Sequence, residues 1–250
     1  MPSDCTVAMA DRGCLPLGRW ASLLSPREQA EASTYARPDR RRRTIASRVL
    51  TKYLVVQCGP RQFQWVGARD IVALDHSELA SVELLTGEAQ ARKGPIVVRS
   101  GHRCCDVSAS ISHCGRYTAS CIGSHRLGLD LERIQPRRRE FYHHTFSCQE
   151  RDWVMNINAK DTTLIDAAFT LLWSVKEAFL KASGRNDLTL WSFPRLTVRL
   201  DEGIHQVLRP NSHHEELRII SGAIGGPGFL HTVEIAAMRV GDMILAAIQY

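Results

Sequence analysis

The sequence predicts an α+β fold, and three observations carry that prediction. Segments at about 107–112, 117–122 and 127–132 alternate apolar and polar residues with the period of two that a half-buried strand requires. The four-residue stretches "HCGR" and "GSHR" between them suit antiparallel turns, so the three read as a meander. Helix signals stand on both sides of this block, and four more short apolar segments follow near 195–200, 216–221, 231–239 and 243–249.

Taken in order, Ser25-Pro26-Arg27-Glu28 starts a helix: Ser25 caps, Pro26 fits the first turn and Glu28 completes a capping box. Pro38 interrupts it, and a second helix begins near Asp39, with Ile45, Val49 and Tyr53 at spacings of four joined by Leu50 and Leu54. Gly59-Pro60 ends that helix. A probe of 58–100 yields one strand, Ile96–Val98. The meander comes next, then Ser147-Cys148-Gln149-Glu150 as a second capping box. "TTLIDAAFTLLWSVKEAFLKASG" is a longer helix stopped by Gly184, its apolar set surrounding Lys176, Glu177 and Lys181. No internal repeat is visible in the sequence.

At 250 residues, 44% hydrophobic and 23% charged, the chain has ample material for a core in one large or two small domains. It has no apolar run of membrane-spanning length. "MPSDCTVAMADRGC" lacks a basic segment followed by an apolar core, so secretion is not expected. The eight cysteines contain no C-x-x-C pair and read as reduced thiols of a cytoplasmic protein; the ten histidines contain no H-E-x-x-H.

Two charge features call for explanation. Asp130 and Glu132 end one face of the third meander strand. At ~7 Å apart they repel by roughly 2–3 kcal/mol at intermediate dielectric, which a solvated edge screens and a bound cation reverses. Net charge is +6, and residues 37–52 hold seven basic residues against one acid. That cluster is either a solvated helix face or the seat of an anion: nucleic acid, a phosphorylated cofactor or an acidic protein. Arg40 and Arg43 lie near the helix N-terminus, where backbone N–H groups also favour anions. In the meander, Ser112 and His113 close the first strand at the same edge as Asp130 and Glu132.

In chain order stand "SISH" at 110–113, "GLDLE" at 128–132, "FSCQE" at 146–150 and "WSVKEAFLKA" at 173–182. This ordered set resembles the 4′-phosphopantetheinyl transferase superfamily, with its G-x-D-x-E strand and later W-x-x-K-E-x-x-x-K helix. The length and the basic N-terminal helix resemble the larger, Sfp-type members. The resemblance implies a monomer of two similar, pseudo-two-fold related halves, each a small antiparallel sheet with a long helix, and an active site at their interface. The halves would be residues 1–122, with the coenzyme A nucleotide contacts, and 123–250, with the metal site and catalytic helix.

The implied reaction is Mg²⁺-dependent (Mn²⁺ as substitute) transfer of 4′-phosphopantetheine from coenzyme A to a serine of an apo acyl or peptidyl carrier protein, an acidic helical domain, releasing adenosine 3′,5′-bisphosphate. Polyketide, nonribosomal peptide and fatty-acid carriers all qualify. The resemblance assigns the metal to Asp130, Glu132 and Glu177, and coenzyme A to Arg43, Thr44, Arg48, Ser112, His113, Lys176 and Lys181. Lys181 would also stabilise the leaving group, and Glu150 would be the general base, with a metal-bound water as the alternative. Each has a structural rival: a capping box for Glu150, a helix-surface ion pair for Glu177 and Lys181, a hairpin histidine for His113. Trp173 is expected in the core. The order Lys93-Gly94-Pro95 departs from the family's G-K-P, and Thr145-Phe146 from its aromatic pair. The competing reading is an arginine-rich nucleic-acid-binding protein without catalysis.

Overall fold

The computed structural model describes residues 5–57, 63–73, 76–85, 96–100, 103–157, 161–184, 188, 190–201, 204–208 and 217–249. Lys93-Gly94-Pro95 and Gly59-Pro60 lie outside the described residues. Two compact units emerge, Ser3–Leu127 and Gly128–Tyr250.

The first unit comprises β1 (Thr6–Asp11), α1 (Leu17–Trp20), α2 (Pro26–Ser33), α3 (Pro38–Gln57), β2 (Phe63–Trp65), α4 (Ala68–Val72), α5 (His76–Ser81), β3 (Val82–Leu85), β4 (Ile96–Ser100), β5 (Arg103–Cys114) and β6 (Tyr117–Gly123). Its six-stranded sheet runs β2-β1-β6-β5-β4-β3, antiparallel except for the β1–β2 pair. The expected capping box forms: Glu28 N–H donates to Ser25 Oγ (3.3 Å) and Ser25 N–H donates to Glu28 Oε2 (2.8 Å). α3 lays Ile45, Val49, Leu50 and Leu54 into the core beside Trp20, Leu79 and Ile122.

The second unit comprises β7 (Leu127–Arg133), α6 (Arg139–Thr145), α7 (Cys148–Ile157), α8 (Thr162–Ser183), β8 (Thr197–Leu200), α9 (Ile204–Leu208), β9 (Arg218–Gly226), β10 (Phe229–Val240) and β11 (Met243–Gln249), with a 3-10 helix at Leu190–Arg195. Its sheet order is β7-β11-β10-β9-β8. Asp161 caps α8 by accepting from Thr163 and Leu164 N–H, and Gly184 ends it in the left-handed conformation at φ 60°. α8 packs along β11 and buries Phe169, Leu172, Val175 and Phe179 against Ile235, Ile244 and Ile248.

The three-strand meander is corrected. β5 and β6 do form a hairpin, but β7 leaves that sheet and takes the edge beside β11. The "GSHR" stretch has the length of a hairpin turn but leads from one unit to the next. Ser112 and His113 therefore do not share a sheet rim with Asp130 and Glu132.

A repeat invisible in the sequence becomes clear in the topology. Orders β1-β6-β5-β4-β3 and β7-β11-β10-β9-β8 match strand for strand, and α2 and α3 correspond to α7 and α8. Each unit carries the same buried lock. Glu28 meets Lys52 Nζ at 2.6 Å, Lys52 donates to Leu23 O (2.9 Å), and Leu84 N–H donates to Glu28 Oε1 (3.2 Å). Glu150 meets Lys176 Nζ at 2.7 Å, Lys176 donates to Thr145 O (3.1 Å), and Val198 N–H donates to Glu150 Oε1 (2.8 Å). A capping glutamate, a long-helix lysine and a strand amide recur in register. β7 adds paired acids to this lock, whereas the corresponding strand β1 carries Ala8 and Ala10 in its core-facing row.

Candidate active site

The centre of interest is where β7 lies on α8. From Leu171 to Leu180 the helix is buried except at Trp173 and Glu177, and Lys181 continues that half-exposed stripe at a spacing of four. Gly128 lets the strand approach closely: a Cβ there would lie 1.7 Å from Ala178 O and 2.8 Å from Ala182 N. Two residues on, Lys181 Nζ donates to Leu129 O (2.7 Å) and Asp130 Oδ1 (2.9 Å). Asp130 is buried, and the Lys181 side chain keeps 23% of its surface exposed.

Glu132 completes the strand's polar end. Burial pushes its carboxyl above the usual range and the Asp130 charge adds to that, against Arg137, the Trp173 indole N–H and Lys181. Arg137 Nη2 stands 3.5 Å from Glu132 Oε2. The helix stripe thus meets the strand's carboxylates: Lys181 at Asp130, Trp173 at Glu132, and Glu177 one turn from each. Trp173 packs against the core as the sequence predicts, its ring meeting Phe141 and Phe193; Arg137 was overlooked, and nothing in the sequence marked it.

Among the described residues, no group of three or more His, Cys, Asp or Glu side chains is arranged to hold a metal ion. Asp130, Glu132 and Glu177 are accordingly not gathered into a preformed three-carboxylate group. Their chemistry nonetheless fits Mg²⁺, which takes one or two carboxylates and fills its remaining positions with water and substrate phosphate. Two adjacent carboxylates, one buried and one partly so, are stabilised by a hard cation.

Two residues expected at the chemistry are enclosed instead. Lys176 has no exposed surface and donates to Glu150 Oε2 (2.7 Å), Phe193 O (2.8 Å) and Thr145 O, so all three ammonium hydrogens are committed. Burial pushes its ammonium below the usual lysine range, with Glu150 opposing. Glu150 accepts from Ser147 N–H (2.8 Å), Val198 N–H and Lys176, and its side chain is fully buried. Neither side chain, so placed, reaches a phosphate or a serine hydroxyl arriving from solvent.

The first unit holds a separate pocket of about 520 Å³. Tyr35, Arg37, Arg40, Arg43, Thr44 and Ser47 supply one wall, Ile111 and His113 the other. Arg40 stacks its guanidinium 4.3 Å over the Tyr35 ring, and Arg43 Nε stands 3.1 Å from Asp39 Oδ2. Three guanidiniums, an imidazole and three hydroxyls around the start of a twenty-residue helix suit a multiply charged anion. Arg43, Thr44 and His113 are thus brought together. Ser112 alternates to the opposite strand face and is buried. Arg48 is also turned inward, donating to Glu28 Oε1 (3.1 Å), Leu84 O (3.0 Å) and Glu31 Oε2 (2.6 Å). It braces the core and is not among the residues lining this pocket.

Residues 126–233 match the family model described as the 4′-phosphopantetheinyl transferase superfamily. The 4′-phosphopantetheinyl transferase Sfp of Bacillus subtilis (strain 168) is 27% identical over 197 residues, covering 78% of this chain and 75% of the relative. A second 4′-phosphopantetheinyl transferase of Bacillus subtilis is 33% identical over 110 residues, 43% of this chain and 46% of the relative. The transferase psf-1 of Bacillus pumilus is 29% identical over 104 residues, 42% of each chain.

Proposed function

The chain belongs to the 4′-phosphopantetheinyl transferase superfamily, and on that premise we propose that it moves the 4′-phosphopantetheine arm of coenzyme A onto a serine of an apo carrier protein. The serine Oγ attacks the β-phosphorus, the bond from that phosphorus to the bridging oxygen breaks, and adenosine 3′,5′-bisphosphate leaves, with one proton released. The observation that carries the reading is the ammonium of Lys181 fixed on Asp130 beside Glu132. A cation held next to paired carboxylates is a preorganised seat for a diphosphate and its counter-ion.

Asp130, Glu132 and Glu177 are the residues that would hold Mg²⁺. Bound there, the ion supplies Lewis-acid neutralisation of the diphosphate oxygens. Lys181, partly exposed, is placed to stabilise charge on the departing oxygen. Arg40, Arg43, Thr44 and His113 suit the phosphorylated nucleotide end. We assign Glu150 and Lys176 to the scaffold, because the same lock recurs at Glu28 and Lys52 in a unit whose corresponding strand carries Ala8 and Ala10. The acidic carrier fits the chain's net charge of +6.

The nucleic-acid reading loses support from the helix itself. Of the basic residues at 37–52, Arg48 and Lys52 are buried against Glu28 and Arg43 pairs with Asp39. No helix of the described residues is long and apolar enough to cross a membrane. Incubation with coenzyme A, Mg²⁺ and an apo carrier, read by intact mass, tests the proposal. A gain of one phosphopantetheine is expected, and Asp130→Ala should abolish it while the far-ultraviolet circular dichroism stays unchanged. Wild-type transfer by that variant would defeat the assignment.

A further inference from the structure

We propose that the edge of the second sheet, where β8 and β9 adjoin the β9–β10 turn, binds a carboxylate with an apolar body, independently of the reaction proposed above. A trough of about 490 Å³ runs there. In the strand register Thr197 pairs with Gly225 and Gly225 with Leu230, while Arg199 pairs with Ala223. Val198 and Ile224, which alternate with these residues, belong to the core packed on α8, so the row lies on the opposite sheet face. Small residues along β9 keep the floor low. A Cβ at Gly225 would lie 3.0 Å from Leu230 Cδ1, and one at Gly226 2.8 Å from the Phe229 ring. A side chain at either position would push the apolar rim aside. β9 alone separates the two rims, which puts the backbones of β8 and β10 about 10 Å apart.

The two rims differ in chemistry. On the β8 side stand Arg195, Thr197 and Arg199, with Gln149 of α7, and among the described residues no acid lines the trough. Elsewhere Arg48, Lys52, Arg133, Arg137, Lys176 and Lys181 each face a carboxylate. Among the described residues neither the Arg195 nor the Arg199 guanidinium has such a partner, and both residues are exposed. The other rim is apolar, made by Phe229 and a Leu230 that is 70% exposed. A large aliphatic side chain left in water across from two uncompensated cations fits a ligand with an anionic head and an apolar body. The planar guanidinium fork matches a carboxylate bidentately. The pocket of the first unit gathers three guanidiniums around Ile111 and suits a compact, multiply charged anion instead.

The test is calorimetric titration of the full chain with decanoate at low ionic strength, with hexanoate and inorganic phosphate as further probes. Decanoate should bind at one site per chain. Hexanoate should bind at least about tenfold more weakly, since each buried methylene contributes about fourfold. Arg199→Ala should weaken decanoate binding about tenfold or more, and Leu230→Asp should abolish it. Both side chains are exposed, so the circular dichroism of each variant should match wild type. Arg43→Ala, in the other pocket, should bind decanoate as wild type does, and equimolar phosphate should not displace it. Absent saturable binding, equal affinity in Arg199→Ala, or loss of binding in Arg43→Ala overturns the site. Equal affinity for hexanoate and decanoate, or displacement by phosphate, overturns the assignment of an apolar carboxylate.

Discussion

Replacing Gly128 by alanine probes the contact on which the candidate site is built. The added Cβ would fall 1.7 Å from Ala178 O, 2.7 Å from Ala178 C and 2.8 Å from Ala182 N, all helix backbone that no rotamer change can move aside. Ordinary contact begins near 3.4 Å, so β7 must retreat from α8 by about 1.7 Å. Overpacking of a core costs about 1–3 kcal/mol, and rigid backbone on both sides puts this case at the upper end. For a chain of this size that lowers the melting midpoint by about 6–12 °C. The same retreat stretches the bonds from Lys181 to Leu129 O (2.7 Å) and Asp130 (2.9 Å) beyond hydrogen-bond range. A hydrogen bond to a charged group contributes about 1.5–3 kcal/mol, so transfer should fall about 10- to 100-fold even below the new midpoint. Calorimetry and initial rates at 20 °C check both. A variant that melts within 2 °C of wild type and transfers at the wild-type rate would refute the strand–helix argument.

Other perturbations separate the remaining roles. Arg43→Ala should raise the KM for coenzyme A by about tenfold or more, yet leave the KM for 3′-dephospho-coenzyme A unchanged, if the pocket holds the nucleotide's phosphate. Lys176→Met should cost about 3–5 kcal/mol in urea unfolding by stranding Glu150, and adding Glu150→Leu should recover most of it. A Glu150→Gln variant of wild-type stability with no transfer would instead make Glu150 the base. Burial raises the Asp11 carboxyl, but the hydrogen bond from Arg116, the Gly13 N–H and the Arg116 charge outweigh it and hold the group below its usual value of 3.8. Its contribution is therefore present above that value and lost as pH falls through the depressed one. Asp11→Asn should be less stable at pH 6 by up to about 1 kcal/mol, the difference vanishing near pH 2 in acid unfolding curves.

Features set by neighbouring residues were legible in the sequence. Both capping boxes, the glycine stop of α8 and the hairpin β5–β6 formed as their residues predict, since each is decided within a few positions. What failed depended on distant partners. β7 alternates like a meander strand, and only its pairing with β11 shows that it serves another sheet. β1 was overlooked, because its near-continuous apolar run lacks the alternation that marks a half-buried strand. Arg48 and Lys176 sit in basic or motif-bearing stretches that suggest phosphate contact. Their true partners, Glu28 and Leu84 O, and Thr145 O and Phe193 O, lie 17–36 positions away. The site's residue types were readable; which of them face inward was not.

The recurring glutamate–lysine lock has an evolutionary consequence. A module whose foundations are self-sufficient can lose or gain chemistry on its surface without risk of collapse, as Ala8 and Ala10 illustrate in β1, the strand that corresponds to β7 in the other unit. Divergent kin whose catalytic signature has worn away should then remain recognisable by a serine-spaced glutamate answering a lysine some 24–26 residues downstream, present twice in one polypeptide.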